Sequence, residues 1–229
     1  AVTGAEPMDG GWRLTTTQGV FEARYVINAA GVASQAVHEL AAPHTFTIHP
    51  ARGQYYLLDK SEGSRVGRVI FQCPNEKGKG ILVAPTVHGN LIVGPDSVPV
   101  EGEDTSTTAD GLRFVRETAA KSVPSLKINQ TIRNFAGVRA TGDTGDFIID
   151  WAAPGFLDLA GICSPGLSAA PAIGEYAAEL LERDGLTLEK KDGFICERRR
   201  VRFKELSPDE RAALVEREPA YGRVICRCE

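Results

Sequence analysis

The chain has 229 residues, of which 42% are hydrophobic and 24% are charged, and its formal net charge at pH 7 is −4. A chain of this size and composition is typical of a globular protein with one or two domains. The acidic balance disfavours a nucleic-acid partner. No run of about 18 apolar residues occurs, so the sequence predicts no transmembrane segment.

The five cysteines are scattered at irregular spacings. An odd count without a repeating pattern argues against a disulfide framework and favours a reducing compartment. We therefore expect a cytoplasmic protein, with peripheral attachment to a membrane as the open alternative. The chain begins without Met and without a signal-peptide pattern, and we interpret it as a fragment of a longer protein.

The first half of the chain is predicted to consist of strands with one short helix. Runs of apolar and β-branched residues are separated here by short stretches of turn residues, a pattern that favours strands. In chain order the predicted elements are strands at 11–17, 20–24 and 25–30, a helix at 34–40, and strands at 53–58, 69–72, 80–84 and 91–94. The turns Gln18-Gly19 and His88-Gly89-Asn90 join the first and the last pair into hairpins.

The second half mixes helices with strands. A helix is predicted at 109–123, because three apolar residues recur on one face and residues 107–110 resemble a capping box. Strands follow at 130–140, 146–150 and 155–160, then a helix at 171–183, and a last helix begins at Ser207-Pro208-Asp209-Glu210 with an N-cap serine. The mixture predicts an α/β (α+β) fold.

A glycine-rich turn joins the strand at 155–160 to the helix after it, and its sequence is A-G-I-C-S-P-G-L-S-A-A-P-A. A strand, a turn of small residues and a helix aim free backbone N–H groups and the positive end of the helix dipole at whatever lies above the turn. Glycines allow a ligand to approach the main chain closely. A tight turn without a ligand is the alternative that this stretch alone leaves open.

A second apolar strand, Y-V-I-N-A-A-G-V-A-S from Tyr25, also ends in a turn of small residues. Together the two stretches resemble the FAD-dependent oxidoreductases of the D-amino-acid-oxidase-like superfamily, and within it the bacterial anaerobic-type glycerol-3-phosphate dehydrogenases. In that family the N-A-A-G turn lies near FAD, and the helix start of the G-x-x-S-P-G-L pattern lies against the flavin ring. The resemblance implies FAD as the cofactor, held by Asn28, Ala29, Ala30, Gly31, Gly53, Gly161, Gly166, Leu167 and Ser168.

Further matches to this family lie between the two stretches. The pattern P-T-x-x-G-N-x-x-x-G-P occurs at 85–95, R-G-Q-Y at 52–55 resembles the family strand beside flavin and substrate, and F-A-G-V-R at 135–139 resembles the family's A-G-x-R. The resemblance implies a substrate-side position for Tyr55. His49, just before this segment, is a candidate base because of its residue type. Ordinary strand packing of Tyr55 and a strand-end position for His49 are the alternatives.

In the resembled family the arginine of A-G-x-R faces the substrate, which implies that Arg139 is the substrate anchor. A guanidinium can hold a phosphate or a carboxylate with two parallel hydrogen bonds. An ion pair of Arg139 with Asp143 or Asp146 is the alternative, and Lys79 and Arg52 are the next candidates for an anion anchor.

The resemblance also predicts a domain arrangement. Residues 1–43 and 142–185 correspond to the carboxyl part of a FAD-binding domain, 44–141 to a substrate domain with a mixed, largely antiparallel sheet, 186–217 to an extension, and 218–229 to the start of a 2Fe-2S domain like that of bacterioferritin-associated ferredoxin. The G-x-G-x-x-G turn of the FAD-binding domain is absent from the sequence. Cys226 and Cys228 would supply two of the four cluster ligands, so no cluster is expected in this chain alone.

The implied reaction is hydride transfer to flavin from a small anionic hydroxy substrate, with sn-glycerol 3-phosphate as the first candidate. An electron acceptor or a partner redox subunit would then receive the electrons. A 2-hydroxy acid such as L-2-hydroxyglutarate, or an amino acid, is the alternative substrate. A non-catalytic module is the alternative from outside the enzyme class.

Overall fold

The computed structural model describes residues 1–73, 80–197 and 200–223. It divides into two units, Ala1–Leu186 and Thr187–Glu229, and each is described by itself. The strands are β1 (Val2–Met8), β2 (Gly11–Thr16), β3 (Gly19–Ala23), β4 (Val26–Asn28), β5 (Ile48–Leu58), β6 (Leu82–Pro85), β7 (Leu91–Gly94), β8 (Val98–Pro99), β9 (Thr131–Gly142), β10 (Ile148–Ala153) and β11 (Phe156–Ala160). The helices are α1 (Ser34–His38), α2 (Ala109–Ser122), α3 (Gly166–Arg183) and, in the second unit, α4 (Pro208–Arg217).

Strand β5 lies at the centre of the largest sheet. Strand β9 pairs with it in antiparallel register from Ile48 opposite Gly142 to Leu58 opposite Thr131. On the other edge of β5, β7 pairs with residues 56–58, β8 pairs with residues 51–52, and β6 continues the sheet beyond β7. All of these pairings are antiparallel, which confirms the predicted mixed fold with antiparallel sheets.

Helix α2 covers one face of this sheet. Its side chains pack onto alternate residues of the strands, because successive strand residues point to opposite faces. The buried cluster consists of Tyr56, Leu58, Val66, Ile81, Val83, Leu91, Val93, Val115, Ala119 and Val123. Helix α2 does not cover the other face of β5 and β9, which forms part of the site described below.

A second, three-stranded sheet has the order β10-β11-β4. Strand β11 is antiparallel to β10 and parallel to β4, and its Phe156 and Leu157 are fully buried. The hairpin predicted around Gln18-Gly19 is present as β2 and β3. Trp12 of β2 packs edge-on against Phe156 at 5.1 Å between ring centroids and donates its Nε1–H to Pro154 O, which joins the hairpin to this sheet.

Several predicted elements have different bounds. Residues 69–72 form only a single bridge, between Ile70 and Val83. Helix α3 begins at Gly166 and includes Pro171, five residues before the predicted start. The start of α2 has Thr108 as its N-cap, but the residue at the third position is Gly111, which has no side chain to complete a capping box.

Strand β1 was not predicted, because Gly4 and Pro7 weaken its strand pattern; it forms through pairing with β2. In the second unit, the predicted N-cap of α4 is confirmed as a full capping box between Ser207 and Glu210. Among the helices that the structure describes, none is long and apolar enough to cross a bilayer.

A buried carboxylate fixes the loop that follows β5. Glu62 is 1% exposed and accepts hydrogen bonds from Arg65 Nε at 3.0 Å, Arg65 Nη2 at 2.6 Å and the backbone N–H of Lys127 at 3.2 Å. The bonds from the Arg65 guanidinium lower the pKa of Glu62 below the usual glutamate range. Charged Glu62 therefore stabilises the folded chain.

We expect Glu62→Gln to lower the free energy of unfolding by about 2 kcal/mol at pH 7, because the buried amide cannot accept all three hydrogen bonds and leaves one donor without an acceptor. Since the folded pKa lies below the unfolded one, this contribution is present above about pH 4.3 and is lost as the pH falls through the folded pKa. Urea unfolding at pH 7 and in acid measures both. The exposed pair of Arg13 and Glu22 gives the control: Glu22→Gln should change stability by less than about 0.5 kcal/mol. An undiminished effect of Glu62→Gln in acid would contradict the assignment.

Candidate functional site

The N-A-A-G turn at the end of β4 is held by the side chain of Asn28. Asn28 is 2% exposed, and its Nδ2 donates to Ser34 O at 2.8 Å and to Asp158 Oδ1 at 2.7 Å. Its Oδ1 accepts the backbone N–H of Ala30 at 3.3 Å. One amide therefore connects the start of the turn, the helix after it and strand β11. Ala29, Ala30 and Gly31 themselves are exposed.

Beneath this turn lies a buried pair that sequence reasoning missed. Asp158 Oδ2 is 2.6 Å from His38 Nδ1, and His38 Nε2 is 2.9 Å from Pro43 O. Asp158 and His38 are each 2% exposed. A carboxylate inside the apolar run F-L-D-L-A is costly unless it is partnered, and that position was the available signal. The partner itself lies 120 residues away and has no local signature.

The amino end of α3 lies directly after β11. The helix has no side-chain cap and no acidic residue in its first turn. Leu167 is 94% exposed, Ser168 is exposed and bonds its own turn through Pro165 O, while Gly161 and Gly166 are buried. The positive end of the helix is therefore not neutralised by any side chain of the helix itself.

The uncovered face of β5 and β9 carries all three predicted catalytic residues. The register places Ala51 opposite Arg139, His49 opposite Thr141 and Tyr55 opposite Phe135, so these odd-numbered side chains share one face. Tyr55 stacks on Phe135 at 5.1 Å between ring centroids. His49 and Tyr55 are six residues apart, about 20 Å along an extended strand, so they cannot act on the same atom.

Arg139 lies across β5. Its Nη2 donates to the backbone carbonyl of Asp96 at 3.1 Å, on the far edge of that strand. A Cβ at Gly53 would stand 2.2 Å from Arg139 Nη2 and 2.8 Å from Pro95 Cβ. A side chain at residue 53 would therefore displace the Arg139 guanidinium and press on Pro95.

The alternatives for Arg139 do not form. Asp143 instead accepts the backbone N–H of Thr47, and Asp146 accepts that of Phe147. Within residues 1–73, 80–197 and 200–223, Arg139 makes no ion pair. Arg52 lies on the opposite face, 6% exposed, and is paired with Asp104 at 2.6 Å.

Three predicted site residues lie outside the described residues. They are the candidate anion anchor Lys79 and the predicted cluster ligands Cys226 and Cys228. The 2Fe-2S assignment therefore stays a prediction. In the part of the chain that the structure does describe, no group of three or more His, Cys, Asp or Glu side chains is arranged to hold a metal ion.

Comparison with known proteins identifies the family. The family described as "DAO: FAD dependent oxidoreductase" matches residues 1–180. The chain belongs to this family of FAD-dependent oxidoreductases.

Among its relatives, the chain is 45% identical to a glycerol 3-phosphate dehydrogenase of Caloramator mitchellensis, over all of this chain and 48% of the relative. It is 37% identical to a glycerol 3-phosphate oxidase of Mycoplasma genitalium, over 77% of this chain and 46% of the relative. The dithionite-reduced L-α-glycerophosphate oxidase of Mycoplasma pneumoniae, solved with FAD bound, superimposes with a TM-score of 0.71 at 33% identity, over 83% of this chain and 51% of that one. The chain thus spans about half the length of the relatives it matches.

Two features of the chain fit the FAD that this family uses. Ser34 Oγ is fully buried beside the N-A-A-G turn and has no hydrogen-bond partner within the described residues. The uncapped first turn of α3 presents an almost fully exposed Leu167. A buried hydroxyl without a partner, an apolar side chain in solvent and an unneutralised helix end are each costly in isolation. A bound planar, polar-edged group at the start of α3 would cover Leu167 and place a polar edge at the unneutralised helix end.

The Gly53 contact gives a test with a matched control. We expect Gly53→Ala to destabilise the fold by about 1–3 kcal/mol, because the new methyl group overlaps Arg139 and Pro95. Gly137 lies directly opposite on the same face, and a Cβ there meets nothing within 4 Å. Gly137→Ala should therefore be neutral or stabilise by up to about 1 kcal/mol. Urea unfolding of the FAD-free protein measures both, and equal effects would rule out the contact.

Proposed function

We propose that this chain forms the flavin-facing and substrate-facing walls of an FAD-dependent enzyme that oxidises sn-glycerol 3-phosphate. The observation that supports this most directly is Arg139, a half-buried guanidinium on the uncovered face of β5 and β9. Two relatives, 45% identical over all of this chain and 37% identical over 77% of it, are named for glycerol 3-phosphate. Both the geometry and the relatives therefore favour an anionic hydroxy substrate.

Arg139 is suited to hold the phosphate. A guanidinium has five N–H donors, and only Nη2 makes a hydrogen bond with the described residues. A partly buried positive charge without a carboxylate partner is costly, and a phosphate that bridges two of its donors would offset that cost. The hydrogen bond to Asp96 O holds the planar guanidinium in one orientation. A lysine ammonium could not present two parallel donors in this way.

FAD would be held by the two turns that follow β4 and β11. We propose that Asn28, Ala29, Ala30 and Gly31 support it from the end of β4, and that Gly161, Gly166, Leu167 and Ser168 do so from the start of α3. When bound, FAD supplies the chemistry of accepting a hydride from the substrate carbon. The amino end of α3 favours negative charge placed near it.

The two other candidates on the face have separate roles. His49 is exposed and lies diagonally across the strand pair from Arg139, about 7–8 Å away. That distance suits a base that takes a proton from a hydroxyl held near the guanidinium. Tyr55, stacked on Phe135 at the other end of the strand, would form an apolar wall rather than a proton donor.

The fate of the electrons is a further part of the proposal. The C-x-C ending, Cys226 and Cys228, provides the kind of thiolate pair that contributes half of a 2Fe-2S ligand set. Such a cluster would pass electrons from FAD to an acceptor or a partner redox subunit. The proposal rests on the spacing of the two cysteines and on their place after an oxidoreductase core.

The anchor role of Arg139 is tested by Arg139→Lys in the complete enzyme. The charge is kept, but the two parallel N–H donors of the guanidinium are lost. The kcat/KM for sn-glycerol 3-phosphate should therefore fall at least about tenfold, which corresponds to about 1.4 kcal/mol of transition-state stabilisation. Arg133 of the same strand and face is about 20 Å away and gives the matched control, Arg133→Lys, which should leave kcat/KM unchanged. Steady-state assays with an artificial electron acceptor measure both. Full turnover by Arg139→Lys together with a lower melting temperature would show a structural arginine instead.

The position of α3 is tested by Ser168→Asp. A carboxylate in the first turn of a helix should stabilise the FAD-free protein by about 0.3–1 kcal/mol. The same carboxylate disfavours the negative charge that flavin gains with two electrons, so the midpoint potential of bound FAD should fall by roughly 20 mV, which corresponds to about 1 kcal/mol. Ser168→Asn, without the charge, should change neither. An unaltered potential in Ser168→Asp would place the helix end away from the flavin.

A further inference from the structure

We infer that Gln54 and Asp96 are positioning residues that hold Arg139 in its binding orientation. Neither side chain can touch the substrate, because Gln54 is fully buried and Asp96 is 4% exposed. They act through the backbone carbonyl that accepts the Arg139 hydrogen bond. The inference rests on the proposed function, since it assigns a purpose to the orientation of the proposed anchor.

The first step is an interruption in the sheet. Strands β7 and β8 share one edge of β5, but β7 pairs only with residues 56–58 and β8 only with residues 51–52. The backbone N–H of Gln54 falls between them and would lack a strand partner. Asp96 Oδ1 accepts it at 2.7 Å. A side chain thus replaces the missing ladder bond, since a buried N–H cannot be left unpaired without cost.

The second step is the fixed direction of the Gln54 amide. Its Nε2 donates to Asp96 Oδ2 at 2.6 Å, and its Oε1 accepts the backbone N–H of Thr108 at 2.6 Å. The carboxylate can only accept and the backbone N–H can only donate, so a single orientation of the amide satisfies both. The space is confined as well: a Cβ on Gly111 of α2 would stand 1.8 Å from Gln54 Nε2.

The third step joins this chain of bonds to the anchor. Both carboxylate oxygens of Asp96 are held, so the residue cannot rotate, and its own carbonyl points at Arg139 Nη2 at 3.1 Å. Arg139 comes from β9, on the other edge of β5, and reaches this carbonyl over Gly53. A continuous path therefore runs from the start of α2 through Gln54 and Asp96 to the guanidinium.

Each hydrogen bond between Gln54, Asp96 and Thr108 has a defined donor and acceptor, so exchanging the amide and the carboxylate tests the inference. Asp96→Asn places an NH₂ against Gln54 Nε2, and Gln54→Glu places a carboxylate against that of Asp96, so each single variant breaks the path. The double variant restores it with the charge exchanged: the new amide donates to the new carboxylate, which still accepts from Thr108. Tyr56→Phe is the control, because it removes another bond between β5 and α2, to Leu112 O, that does not lead to Arg139.

The measurements are the Kd of sn-glycerol 3-phosphate by calorimetry on the complete enzyme, kcat and KM, and the melting temperature. We expect each single variant to raise Kd and KM at least fivefold with a smaller change in kcat, and the double variant to return Kd to within about twofold of wild type. Tyr56→Phe should lower the melting temperature and leave Kd unchanged. Single variants that lose stability but keep Kd would overturn the inference.

Two outcomes separate this inference from the proposed function. If Arg139→Lys weakens binding but neither single variant does, the anchor stands and the positioning path is wrong. If Arg139→Lys does not weaken binding of glycerol 3-phosphate, the proposed function itself fails. Should a single variant not fold, the double variant decides: a Kd near wild type supports the path, and a Kd as weak as that of Arg139→Lys contradicts it.

Discussion

The passage of the Arg139 guanidinium over Gly53 is the constraint on which the candidate substrate face depends. It requires a strand residue without a side chain, a gap in the sheet beyond it, and a carbonyl in that gap. Gly53 meets the first requirement, the separation of β7 from β8 meets the second, and Asp96 meets the third. An alanine or a continuous strand at these places would push the arginine off the face.

Each of the two parts of the chain that we propose to face a ligand contains a buried carboxylate. Asp158 lies under the N-A-A-G turn with Asn28 and His38, and Asp96 lies under the Arg139 contact with Gln54. A buried polar cluster is costly when incomplete, so a fully bonded one specifies a single arrangement of the groups around it. The two clusters thus fix the backbone of the N-A-A-G turn and the carbonyl that Arg139 contacts.

Two separate sheets carry the two proposed sites. The sheet of β4, β10 and β11 leads into the turns that we propose to hold FAD, and the sheet around β5 carries the face with Arg139. Packing of Trp12 on Phe156 and the long β5 and β9 pair give each sheet its own rigid support. The division into a FAD-binding domain and a substrate domain stays a prediction.

The sequence by itself determined the local features: the hairpin at Gln18-Gly19, helix α2, the capping box of α4 and the turns that carry the family resemblance. These depend on residues within a few positions of one another, so their signals are readable in the chain. The tertiary structure alone decided the pairs that lie far apart. His38 meets Asp158 across 120 residues and Arg139 meets Asp96 across 43, and the contact of Arg139 is with a backbone carbonyl, which has no sequence signature. Such partners are set by strand register and by which face a side chain occupies, and a shift of one residue would exchange the faces.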